Sequence, residues 1–70
     1  MEKLYRVTIS ALLPHGEFIE DSYHVLATWS WKAAKEAMCS FNHTLMIDQD
    51  IVDYEIMDIR IREESEEEVE

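Results

Sequence analysis

The stretch "KLYRVTISAL", residues 3–12, decides the fold. Tyr5, Val7, Ile9 and Ala11 fall on one side, and Arg6, Thr8 and Ser10 on the other. Side chains alternate across a β-strand, so this period of two predicts a strand with one face in a core. The next five residues, "LPHGE", contain the only proline and the only glycine of the chain. Pro14 pre-sets φ for a turn and Gly16 accepts a positive φ, which predicts a turn near residues 13–17. A second strand follows over residues 18–27, with Tyr23, Val25 and Ala27 on one face, and the two form a β-hairpin.

The period changes in "TWSWKAAKEAMCSFNHTL", residues 28–45. Ala34, Ala37, Met38, Phe41 and Leu45 repeat as one stripe of an amphipathic helix, with Lys32, Lys35 and Glu36 opposite. Ser30 or Thr28 is the expected N-cap, since a hydroxyl accepts an unpaired backbone N–H. The small alanines suit close packing on a sheet. Asn42, His43 and Thr44 are poor helix formers, so the helix is expected to fray there and residues 46–50 to form a loop. "IVDYEIMDIRIR", residues 51–62, reads as the last strand. Its apolar phase shifts, from Val52, Tyr54 and Ile56 to Met57, Ile59 and Ile61. That shift implies either a β-bulge or a strand with apolar contacts on both faces; the second would suit an oligomer. The expected architecture is α+β, in the order β-β-α-β. A three-stranded antiparallel sheet carries one helix on one face, as one domain over residues 1–62.

Seventy residues is close to the lower limit for a self-sufficient core, which makes homodimerisation a natural addition. The single cysteine, Cys39, excludes an intrachain disulfide, and the chain reads as intracellular and cytoplasmic. No apolar run approaches the ~20 residues of a membrane span. The formal net charge is −10, from 16 acidic and 6 basic residues. Six of those acids, Glu63, Glu64, Glu66, Glu67, Glu68 and Glu70, belong to the closing "EESEEEVE", which is expected to be a disordered acidic tail. This balance disfavours direct binding to nucleic acid or anionic membrane and favours a basic protein partner.

The carboxylates are therefore the candidate binding residues. Asp48, Asp50, Asp53, Glu55 and Asp58 lie within eleven residues, and Glu17, Glu20 and Asp21 add a patch near the hairpin. Asp53 and Glu55 are expected to share a strand face, about 6.7 Å apart at a rise of ~3.3 Å per residue. Two nucleotides of a DNA strand rise a similar distance, at ~3.4 Å each. An ordinary solvated acidic face is the competing explanation, and for the tail a solubilising segment. The acids of "DQDIVDYE" resemble the opening of a calcium loop, but the glycine for its sharp turn and the closing glutamate are missing, so no metal is expected. His15, His24 and His43 lie in different elements, and a Cys39–His43 pair would still need an orienting group and a pocket. No enzymatic activity and no cofactor are expected. Trp29 and Trp31 bracket the helix start; one is expected to cap the core and the other to serve as an exposed anchor, with Trp29 the candidate. Arg60 and Arg62 share a strand face, where they either pair with nearby glutamates or grip an acidic partner.

On size, charge and the acidic tail with the 48–58 cluster, the chain resembles the small acidic host-takeover proteins of bacteriophages. Within that group it resembles the DNA mimics, whose carboxylates occupy the DNA-binding surface of a target. The resemblance implies a non-enzymatic inhibitor whose partner is a basic DNA-binding host protein, such as a nucleoid-associated protein, a nuclease or RNA polymerase. A homodimer would double the acidic surface. The strand–strand–helix–strand order and "RIR" at Arg60–Arg62 are also similar to the small phage inhibitor of bacterial RNA polymerase. That likeness implies a binding role for the arginine pair with Trp29.

Overall fold

The computed structural model describes residues 1–64. Three antiparallel strands, β1 (Lys3–Leu12), β2 (Phe18–Ala27) and β3 (Glu55–Glu64), form one sheet in the order β2-β1-β3. One helix, α1 (Ser30–His43), lies on one face. The chain is α+β, as its sequence predicts.

The alternation in β1 becomes the core. Tyr5, Val7, Ile9 and Ala11 are all buried, and the residues between them are only half-buried. Being central, β1 has neighbours on both edges. The hairpin pairs Lys3 with Ala27 through Leu12 with Phe18. In its five-residue turn, Gly16 takes φ +94° and donates its N–H to the Leu13 carbonyl at 2.9 Å. The Leu13 N–H in turn donates to the Glu17 carbonyl at 2.8 Å.

The helix stripe keeps Ala37, Phe41 and Leu45 where the spacing predicts them, but begins at Ala33 in place of Ala34. Ala33, Ala37, Phe41 and Leu45 are the buried positions, and Ala34 and Met38 flank them half-buried. Ala33 was the missed position: either of two adjacent alanines fits the apolar face, and sequence cannot rank them. Nor do Ser30 or Thr28 cap the helix. Trp29 occupies the N-cap in an extended conformation, with no side-chain cap bond. At the other end the chain does not fray at residues 42–44. It continues into a wide π-helical turn, Thr44–Asp48, in place of most of the expected loop. The reason is geometric. Each step of four residues over-rotates an α-helical stripe by about 40°. A wider turn takes back part of that drift, and Leu45 stays in the core. The Ile51 N–H closes this segment by donating to the Leu45 carbonyl at 2.8 Å.

The last strand starts at Glu55, not at Ile51, and runs on through Glu64. Residues 51–54 are irregular connection, although Tyr54 docks edge-on against Phe41 with ring centroids 5.8 Å apart. The phase shift in the sequence is a β-bulge: Ser10 pairs with Asp58 but Ala11 with Ile56, which leaves Met57 as the extra residue. Glu63 and Glu64 are thus sheet residues, opposite Tyr5 and Leu4. The remainder of the expected tail, including Glu66, Glu67, Glu68 and Glu70, lies outside the described residues.

The stripe assignment has a measurable consequence. Ala33→Leu forces a larger side chain against the sheet and is expected to lower unfolding free energy by about 1–3 kcal/mol. Ala34→Leu, half-exposed, is expected to cost about 1 kcal/mol or less. Urea unfolding of the two variants checks the order, and a larger loss for Ala34→Leu would restore the stripe predicted from spacing.

Candidate functional site

The β-β-α-β path gathers acids that are distant in sequence. β1 leads into the hairpin turn, α1 runs back from the end of β2, and its exit returns the chain to the start of β3 beside Leu12. Turn, helix exit and strand start therefore share one end of the domain. Glu17 lies in that turn, Asp48 and Asp50 in the helix exit, and Asp53 and Glu55 at the entry to β3. Glu20 and Asp58 both pair with Ser10, and Asp21 pairs with Ile9, in the adjoining half of the sheet. These eight carboxylates share their half with one arginine, Arg60. The opposite half holds Lys3, Arg6, Lys32, Lys35 and Arg62 against Glu2, Glu36, Glu63 and Glu64.

Only part of the acidic end is neutralised locally. Arg60 reaches Glu20 at 3.1 Å and Asp58 at 3.0 Å. His15 Nε2 lies 3.2 Å from Glu17. Among the described residues, Asp21, Asp48, Asp50, Asp53 and Glu55 make no ion pair. Asp50 sits at φ +57°, a left-handed position that aspartate tolerates better than most residues. A depression beside them is lined by Leu12, Leu13, Pro14, Asp53, Tyr54 and Glu55.

The geometry corrects the simplest form of phosphate spacing. Asp53 precedes β3, so it does not share a strand face with Glu55, and the spacing of about 6.7 Å calculated for a regular strand does not apply. The carboxylates also divide between two sheet faces. Glu20, Glu55, Asp58 and Glu64 lie on the face away from α1, whereas Asp21 and Glu63 lie on the helix side. The assembly is an acidic end, not a row. Glu63 and Glu64 belong to the far end, where Lys3 lies 3.7 Å from Glu63 and Arg6 lies 2.8 Å from Glu64.

The other candidates fall elsewhere. Arg60 and Arg62 do share the face away from α1, opposite Thr8 and Arg6. Arg60 is held by two carboxylates, and Arg62 has no ion pair among the described residues. Trp29 and Trp31 are 56% and 63% exposed, so neither caps the core as expected of one of them. Cys39 is exposed, and no group of three or more metal-ligating side chains occurs among the described residues. No helix among them is long and apolar enough to cross a membrane.

One titration is shifted in mid-sheet, at Tyr23 opposite Val7. Burial raises the Tyr23 pKa above its ordinary 10.0, and the charge of Asp21 adds to the rise; the Thr44 hydroxyl opposes part of it. Comparison with known proteins found no family model, no curated protein and no solved structure that matches the chain.

The folded state thus holds the Tyr23 proton more tightly than the unfolded chain does. That contribution is fully present below about pH 10, the unfolded value, and is lost as pH rises through the raised folded value. Urea midpoints measured from pH 8 upward should fall above about pH 10, and both Tyr23→Phe and Asp21→Asn should flatten the fall. Identical alkaline slopes in all three proteins would remove Tyr23 from the account.

Proposed function

We propose that the chain is a non-enzymatic inhibitor that presents its acidic hairpin end to a basic DNA-binding protein in the bacterial cytoplasm and keeps DNA off that surface. The observation that carries this reading is the segregation of charge: two acidic stretches of sequence meet at one end, beside a single arginine. Exposed carboxylates without partners retain their charge for a cation from outside. Each exposed pair contributes only about 0.2–1 kcal/mol. Affinity therefore has to come from several pairs made together, which suits an end with many carboxylates. Complementary fields also speed encounter, by roughly 10- to 1,000-fold over a neutral surface. Charge on the target's DNA site is what the inhibitor and DNA have in common, so competition follows from the same electrostatics.

Target classes that fit are a nucleoid-associated protein, a nuclease, or RNA polymerase at its DNA channel. Charge supports the DNA-competing reading over an arginine-led one, since Arg60 would have to leave both Glu20 and Asp58 to engage an acidic partner.

The test is displacement of a labelled duplex from purified basic nucleoid-associated protein, nuclease and RNA polymerase. The expected result is displacement from at least one of them, weakening as salt rises. It should fall about tenfold or more with Asp48→Asn, Asp50→Asn, Asp53→Asn and Glu55→Gln combined, if each lost pair is worth the few tenths of a kcal/mol typical of exposed charges. Neutralising Glu2 and Glu36 at the far end should change little. A chain ending at Glu64 measures whatever residues 65–70 add. Displacement that ignores both salt and the four substitutions would end the mimicry reading, and so would failure to displace DNA from any target.

A further inference from the structure

The sheet has two free edges, and they are built differently. On β2 the helix-side row carries Asp21 in mid-strand, between Ile19 and Tyr23. A charge directed inward on an edge strand opposes addition of another strand, because pairing would desolvate it. On β3 the equivalent row carries Ile59 and Ile61. These two pair with Ile9 and Val7, which are fully buried, yet they remain 38% and 40% exposed. The helix packs over β2 and β1 and leaves this strip open. Met57, at the bulge beside it, is 48% exposed. From Asp58 to Glu64 the strand is regular, with an unpaired backbone edge.

We infer that β3 pairs antiparallel with β3 of a second copy, with Ile59 on the twofold axis, to give one six-stranded sheet. Charge selects both occupant and register. Residues directly opposite in an antiparallel ladder share a face, so the axis falls on one residue. Centring on Arg60 sets Asp58 against Arg62 and Ile59 against Ile61, but sets Arg60 against itself on the axis, where two like charges meet most closely. Centring on Ile61 sets Arg60 against Arg62 and Asp58 against Glu64. Centring on Ile59 sets Asp58 against Arg60 of the second copy, twice, and Ile61 against its Met57. That register puts each Arg60 opposite a carboxylate while the exposed strip closes on its own image, and its one like-charge pair, Glu55 against Glu63, falls beyond the bulge at the ends of the ladder. Main-chain bonds along the edge would supply affinity and these side chains the register. The pairing draws Asp58 from the acidic half and leaves the carboxylates of the turn and the helix exit free for another partner.

The experiment uses the full chain and two charge reversals, Asp58→Arg and Arg60→Asp, read by sedimentation equilibrium over micromolar to millimolar concentrations. Wild type is expected to reach twice its monomer mass. Each reversal alone sets like charges opposite one another and should weaken self-association about tenfold or more. Mixed together, the two variants restore both opposite-charge pairs and should form a heterodimer tighter than either homodimer. Circular dichroism identical to wild type confirms that each variant is folded. A wild type that stays monomeric throughout overturns the pairing. A mixture no tighter than its components, or one that recovers only when both reversals share a chain, overturns the register.

Discussion

A single helix covers about two strands. An α-helix with side chains is 10–12 Å across, and neighbouring strands are ~4.8 Å apart. A 14-residue helix laid along a three-stranded sheet therefore has to leave one strand short of cover. In this chain it lies over β2 and β1, and the core forms where it touches. Phe41, Ile9, Leu45 and Val7 are the largest fully buried side chains, contributed by α1, its π-helical continuation and β1 alone. Alanines at 33 and 37 let the helix come close at its start, and Phe41 and Leu45 fill the space beyond them. The uncovered β3 keeps its isoleucines half in water. That one shortfall leaves an apolar strip open on the helix side of a sheet edge.

The same arrangement separates charge from packing. None of the described charged or polar residues is buried, and no buried side-chain nitrogen or oxygen lacks a partner. At the hairpin end the acids are therefore free of structural duty, apart from the two that hold Arg60 and Glu17 beside His15. At the far end the reverse holds. Arg6 and His24 converge on Glu64 and Lys3 meets Glu63, so the end of β3 is fastened to the sheet by its own glutamates. Residues of one chemical type thus do two jobs. Where cations of β1 and β2 lie within reach, glutamate closes the sheet; where none do, the negative charge projects outward.

This division explains how much could be read in advance. Strict alternation in β1, the lone Pro–Gly turn and the change of period after Ala27 are local signals, and each produced the element it predicts. The phase shift around Met57 was legible as a bulge or a strand apolar on both faces, because a strand has only two faces, and the register decides for the bulge. Side-chain placement across elements was less legible. Ala33 and Ala34 are chemically identical, and only the direction from which the sheet approaches separates them. Asp53 looked like a strand residue because Val52, Tyr54 and Ile56 alternate. Tyr54 instead turns to meet Phe41, and its hydroxyl donates to Asn42 Oδ1 at 2.7 Å, so a tertiary contact replaces the ladder. The glutamates at 63 and 64 read as tail because a Glu run has no period of its own. Their strand state comes from pairing with Tyr5 and Leu4 of β1, and Lys3 and Arg6, sixty and fifty-eight positions away, add ion pairs.

A dimer joined through β3 alters what the acidic end can be. If carboxylates simply doubled, two copies would present one larger negative surface. Antiparallel pairing about Ile59, near the middle of a ten-residue strand, does the opposite. It sends the two hairpin ends to opposite extremes of the joined sheet, about 30 Å apart for strands of this length. Fields between exposed charges decay over roughly 8 Å at physiological salt, so neither end would feel the other. Each would meet a basic surface independently, with only the carboxylates of its own copy. Self-association would then change avidity for a target that repeats along DNA, while leaving the strength of a single contact as it is in the monomer.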